Sequence, residues 1–191
     1  MPEELRQQIV KFIITSRGLD PVRYLRSALR AAIRGARVRS AGFRGVLTLE
    51  AEGQISELAK QVCRECSESI GHVTAVLATV ESREEAIKDA AVRIGREQIG
   101  AQDSFCFRLH KRGAHGLERD TSKLEQQIGG AIWTALEARF KQRPKVSLKN
   151  PDITVIAEIL GPIAAVGISR RAWREQSQAC RSGVGASRLI S

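Results

Sequence analysis

The first eighty residues alternate between short β-branched runs and segments whose apolar residues recur every three or four positions, and this alternation limits the folds open to the chain. Lys11–Ser16 (KFIITS) has strand character and Gly18 breaks it. Asp20 before Pro21 reads as a helix N-cap followed by proline at the first helical position. Val22, Leu25, Leu29, Ala32 and Ile33 then mark one helical face, which Gly35 ends. Val38 and the run Val46, Leu47, Leu49 predict two strands joined around Gly42 and Gly45. A second helical face runs through Ile55, Leu58, Ala59, Val62, Cys66 and Ile70, closed by Gly71, before a strand over Val73–Val80.

The resulting order, β-α-β-β-α-β, is the ferredoxin-like arrangement. The second half opens with a helix from Glu84 to Ile99. Phe105, Phe107 and Leu109 alternate with Cys106, Arg108 and His110 in strand fashion. A polar loop over Arg112–Thr121 leads to a long helix, Leu124–Phe140, with Ile128, Ile132 and Leu136 on one face. Lys145–Pro151 is a short basic segment ending in a turn. Ile153–Leu160 and Ile163–Ser169 flank Gly161-Pro162 as a hairpin. The expected fold is α+β: an N-terminal domain over 1–82 packed against a C-terminal α/β domain over 83–172, with a flexible Ser/Gly/Arg-rich tail over 173–191.

Charge narrows the partners. The chain of 191 residues carries a formal charge of +10, which makes polyanions the first class to consider. No apolar run approaches the ~20 residues of a spanning helix, and Met1–Gln8 lacks the apolar core of a signal peptide. No membrane partner and a cytoplasmic location are expected. Residues 104–149 hold 10 Lys/Arg against 4 Asp/Glu, so the binding surface is expected in the second half.

The motifs offer little for catalysis. Cys63 and Cys66 have C-x-x-C spacing, but no second pair completes a zinc site, and Cys66 continues an apolar helical face, so both read as core residues. His72, His110 and His115 form no ligand set. His115 near Asp120 has no accompanying nucleophile. Gly129-Gly130 lies within a helix and is read as close helix packing. Neither a Walker motif nor a dinucleotide fingerprint occurs. No cofactor, no metal, no small-molecule substrate and no enzyme activity of its own are expected.

Three stretches carry a resemblance: Ser104–His115 (SFCFRLHKRGAH), Gly129-Gly130-Ala131, and Lys145–Glu158 (KVSLKNPDITVIAE). Together they resemble the THUMP domain of tRNA-modifying enzymes, most of all that of the 4-thiouridine synthetases. The shared elements are the phenylalanine–cysteine strand opening, the step Lys111-Arg112-Gly113 with a nearby histidine, and the phrase Leu148-Lys149-Asn150-Pro151-Asp152. The resemblance covers Arg83–Arg171 and implies that the preceding half is the ferredoxin-like domain that commonly accompanies THUMP. It further implies a grip on the acceptor stem and 3′ end of tRNA, which the family presents to a catalytic domain. No room for such a domain remains between Arg171 and Ser191, so the chain resembles the free-standing adaptors of tRNA cytidine acetyltransferases. Two other functions stay open: a detached RNA-binding subunit of a methyltransferase or thiouridine synthetase, and a general basic RNA-binding protein.

The expected RNA-binding residues are Arg108, His110, Lys111, Arg112 and His115, with Lys145, Lys149 and Asn150 as a second cluster converging on the same surface. Arg bridges phosphate oxygens bidentately and Lys acts as a point charge. Arg23, Arg26, Arg30 and Arg34 form a stripe on the first helix that reads as an ordinary exposed face.

Overall fold

In the computed structural model, residues 8–17 and 22–175 are described. The expected cap at Asp20-Pro21, the break at Gly18 and the tail from 176 onward lie outside them. The chain is a mixed α+β protein that divides into two compact units, Met1–Ala75 with Ala172–Ser191, and Val76–Arg171.

The first unit contains β1 (Ile9–Ser16), α1 (Val22–Ala32), β2 (Arg37–Ser40), β3 (Val46–Glu52), α2 (Ile55–Glu65) and the start of β4 (Ile70–Glu81). Its strand order is β2-β3-β1-β4. β3 runs antiparallel to both β1, with Phe12 opposite Leu49, and β2, with Val38 opposite Leu49. Apolar side chains one helical turn apart, Leu25 with Leu29 on α1 and Leu58, Ala59 with Val62 on α2, are buried, which is why these segments are helices despite their charged remainder.

One boundary differs from the sequence pattern. The α2 periodicity runs on to Ile70, yet the helix stops at Glu65, where the Cys66 N–H donates to Val62 O, and Ile70 begins β4. Ser67, Glu68 and Ser69 bring no apolar residue to hold another helical turn. Ile70 is buried as a strand residue instead, four positions after Cys66, so both periods count it. Gly71 accordingly lies within the strand and does not close the helix. Trp173, placed by its sequence context in a flexible tail, is 2% exposed.

The second unit holds the rest of β4, α3 (Glu84–Gln98), β5 (Ser104–Arg112), α4 (Thr121–Phe140), β6 (Lys145–Val146), β7 (Ile153–Leu160) and β8 (Ile163–Arg170). Strand order runs β4-β8-β7-β5-β6. β5 is parallel to β6 and β7, while β7 and β8 form the expected hairpin. Gly161 turns that hairpin at φ +68°, a conformation that costs a residue with a Cβ. α4 starts at Asp120, whose carboxylate accepts from Ser122 N and Lys123 N at 2.9 and 3.3 Å. Ile87, Ala91 and Ile94 of α3 and Leu124, Ile128, Ile132 and Leu136 of α4 are buried in its core. Gly95 lets the two helices approach closely, since a Cβ there would lie 2.8 Å from Ile132 Cγ2. No described helix is long and apolar enough to cross a membrane.

Candidate nucleic-acid interface

β5 carries the basic residues, and its neighbours decide how each is held. Parallel pairing with β7 sets His110 opposite Glu158, the one acid in an otherwise apolar strand core. Glu158 is fully buried. Its carboxylate meets His110 Nδ1 at 2.9 Å and Arg112 Nη1 in a close ion pair. Burial pushes the Glu158 carboxyl up, but the hydrogen bond and charge of His110, with those of Arg112, outweigh it and hold the group below the ordinary range.

Arg108 is held on the other side of the strand's course. Its Nη1 lies 3.2 Å from Glu125 of α4, and its Nη2 donates to Leu148 O at 2.7 Å. Lys111 Nζ donates to the carbonyls of Arg119, at 2.5 Å, and Leu117, which fastens the loop over 113–120 to the strand. His115 Nδ1 accepts from Leu117 N within that loop. Asp120, next to it in the sequence pattern, is the α4 cap and not an acid–base partner.

At the opposite end of β5, Lys145 Nζ reaches Gln102 O and Oε1 at 3.3 and 3.1 Å. Lys149 and Asn150 are exposed, and Lys149 makes no ion pair among the described residues. Asp152 is a clasp: it accepts from Ser104 N and Oγ at 2.8 and 2.6 Å and pairs with Arg171, tying the starts of β5 and β7 to the end of β8. The Ser104 hydrogen bonds and the Arg171 charge lower its pKa.

A family comparison decides what this unit is. The THUMP domain model matches residues 81–169.

Residues 81–169 are a THUMP domain.

A tRNA sulfurtransferase of Aliivibrio salmonicida is 31% identical over 97 residues, which is 48% of this chain and 18% of that protein. Among solved structures, PH1313 of Pyrococcus horikoshii matches 84% of the chain and 54% of its own length with a TM-score of 0.58 at 18% identity. A 4-thiouridine synthetase solved as a complex with RNA and bound ATP matches 85% of the chain and 42% of its own length, TM-score 0.56, at 15% identity. The chain therefore spans about a fifth of the curated relative and about half of these solved chains. The structural likenesses show the fold.

Within the THUMP domain the expected binding residues stand in two groups at opposite ends of β5. Lys145, Lys149 and Asn150 stand at the Ser104 end of β5, while Lys111, Arg112 and the His115 loop stand at its other end, where β7 finishes. Nine strand residues separate them by roughly 26 Å. Arg108 bridges part of this distance through Leu148. Arg112 is also half-buried, not exposed as a free phosphate ligand would be, because Glu158 holds it. In the first unit, Arg23 lies over the exposed Tyr24 ring, 4.9 Å from its centroid, and Arg30 donates to Val38 O.

Sequence reasoning placed Glu158 and Asp152 in the motif that carries the resemblance but gave no role to either, nor to Glu125. The signal for Glu158 was available: an acid inside ITVIAEIL has to find a cation once the strand is buried. Glu125 carries no such mark, because an acid on a long amphipathic helix is usually solvated. Gly129-Gly130 was read as helix packing, and the structure corrects this. A Cβ at Gly130 meets nothing within 4 Å and one at Gly129 meets only Phe107 Cβ at 3.8 Å; Gly95 makes the close approach. Cys63 and Cys66 are free and buried, with burial pushing both thiols up to about 11.

Proposed function

We propose that this chain binds tRNA through its THUMP domain and presents it to a separately encoded modification enzyme, with no catalytic step of its own. The observation that carries the reading is the match over residues 81–169, which encloses the basic stretch 104–149. It is supported by the tRNA sulfurtransferase relative and by the likeness to a synthetase seen with RNA. We take the first unit, with its strand order β2-β3-β1-β4, as the ferredoxin-like partner of the domain. The enzyme served is a tRNA cytidine acetyltransferase.

In this reading the cations divide their work. Lys149 and Lys145 at one end of β5, and Lys111 with the solvent-facing edge of Arg112 at the other, contact well-separated phosphates of the bound RNA. The strand between them sets their spacing. Contacts of this kind fix register without reading sequence, which suits a protein that handles many tRNAs.

A second reading is favoured by one observation: the curated relative is a tRNA sulfurtransferase. In that case the chain is the RNA-binding subunit of a thiouridine synthetase or methyltransferase whose catalytic part is a separate chain. Isolation of the native complex tests the choice. Co-purification of an acetyltransferase, with loss of acetylated cytidine from tRNA on gene deletion, supports the first reading. Loss of 4-thiouridine or of a methylated nucleoside replaces it with the second. Equal affinity for tRNA and unrelated structured RNA leaves only a general basic RNA-binding protein.

A further inference from the structure

Between Glu125 and Glu137, α4 carries eleven consecutive uncharged residues in a chain of which 27% is charged. Ile128, Ile132 and Leu136 of this run are buried. The same run leaves Ala131 and Ala135 half-buried and Thr134 exposed, and Ala138 extends them by a further turn. The Thr134 hydroxyl donates to Gly130 O at 3.1 Å, so its hydrogen bond is met within the helix. A solvated helix face normally carries charged and polar side chains. This one carries small, mostly apolar ones.

These residues form one wall of a groove of about 870 Å³ between α3 and α4, within the second unit. It is separate from the groove of about 570 Å³ on the β5 side of α4, which Gly129, Gly130 and Trp133 line. The α3 wall presents Val92, with Lys88, Arg93 and Arg96 around it. Arg139 closes the rim from α4 and lies 4.8 Å over the Phe140 ring. Arg93 is taken by Glu97 at 3.6 Å. The other ion pairs of α3 and α4 among the described residues are Glu84 with Arg119 and Glu125 with Arg108. Lys88, Arg96 and Arg139 therefore meet no acid there, and Asp89 is the one rim acid without a cation. An apolar floor is thus framed by a surplus of positive charge. At 1.5 Å per residue the groove runs roughly 10 Å along α4 and 14 Å along α3.

We propose that this groove docks an amphipathic helix of the modification enzyme, about two to three turns long, with apolar side chains on the alanine floor and Asp or Glu along its flanks. This rests on the adaptor reading and names the surface by which the adaptor holds its enzyme. Both walls are helices whose backbone groups bond internally, so an extended segment finds no free rung. A helix instead seats side chains at i, i+4 and i+7 between two others. Lys88, Arg96 and Arg139 complement its acids and set its register. RNA fits less well, because the lining holds no aromatic ring for a base and Asp89 and Glu97 stand among the cations. A second copy of the chain would set the same cations against each other.

The test uses the full chain and, as probe, the purified modification enzyme that the native complex yields. Binding is measured at about 150 mM salt, where exposed charges act over only about 8 Å. Ala138→Trp fills the groove from an exposed position and is expected to weaken enzyme binding at least tenfold. Arg96→Glu is expected to weaken it at least fivefold, and Arg96→Lys to stay within twofold. All three should keep tRNA affinity within twofold of the wild type and leave Tm unchanged. Benzoylphenylalanine in place of Ala138 should crosslink to an enzyme segment that carries Asp or Glu beside apolar residues. A crosslink to RNA, to a second copy of the chain or to an enzyme segment without acids overturns the proposal. Enzyme binding that survives both Ala138→Trp and Arg96→Glu removes the groove and leaves the adaptor reading standing. If no enzyme accompanies the wild type, the adaptor reading falls and the groove with it.

Discussion

His110 and Glu158 stand opposite one another on parallel strands, Nδ1 to Oε1 at 2.9 Å, with Arg112 closing on the second carboxylate oxygen of a fully buried acid. Two of the side chains that a charge-based reading assigns to phosphate are thus also the partners that make this acid tolerable. Removing the acid strands them, and breaking a buried charge cluster by deleting one partner typically costs ~3–5 kcal/mol. Glu158→Ala is expected to lose stability on this scale in urea unfolding, with a smaller loss for Glu158→Gln, which retains a hydrogen-bonding side chain.

The same cluster sets a pH dependence. Glu158 and Asp152 both have folded pKa values below their ordinary ones. Their contribution is therefore fully present above the unfolded values, from about pH 5 upward, and is lost as pH falls through the lowered folded values. Urea midpoints measured from pH 7 to pH 2.5 should fall through the acid limb. Asp152→Asn should begin about 1–2 kcal/mol less stable at pH 7, from its lost charge-assisted bonds, and show a shallower acid limb.

Lys149→Ala and Arg112→Ala separate binding from folding. Lys149 is exposed and holds no ion pair among the described residues, so its removal should change stability by less than about 0.5 kcal/mol. It should reduce tRNA affinity and lower the salt slope by about one contact. Arg112→Ala should weaken binding too, but with a measurable loss of Tm, because Glu158 loses its guanidinium. An unchanged Tm for Arg112→Ala would mean that His110 alone satisfies the acid.

The α3–α4 contact offers a control pair. Gly95→Ala drives a Cβ to 2.8 Å from Ile132 and should cost about 1–3 kcal/mol. Gly130→Ala meets nothing and should stabilise by up to about 1 kcal/mol. Thermal unfolding of the two variants checks the contrast.

Much of the fold was legible because each segment obeyed one period: KFIITS and ITVIAEIL read as strands, and the α1 and α4 faces as helices. Ile70 misled because it satisfies both the helix that ends at Glu65 and the strand that follows. The site was legible as composition and as the motifs Lys111-Arg112-Gly113 and Leu148–Asp152, but not as contacts. Arg108, His110, Lys111 and Arg112 can be counted from the sequence, but their partners sit 6 to 48 positions away. Strand register, which pairs His110 with Glu158, is a tertiary fact. Gly129-Gly130 shows the same limit: a glycine pair looks alike whether it packs a helix closely or clears a groove.

The central claim is tRNA binding through the THUMP domain, and equilibrium binding of unmodified tRNA across a salt series tests it most directly. Log K should fall linearly with log salt, by about 0.7–0.9 per phosphate contacted, and Lys149→Ala should show a slope shallower by about one contact. A flat salt response, or equal affinity for tRNA and a random single strand, would contradict the account.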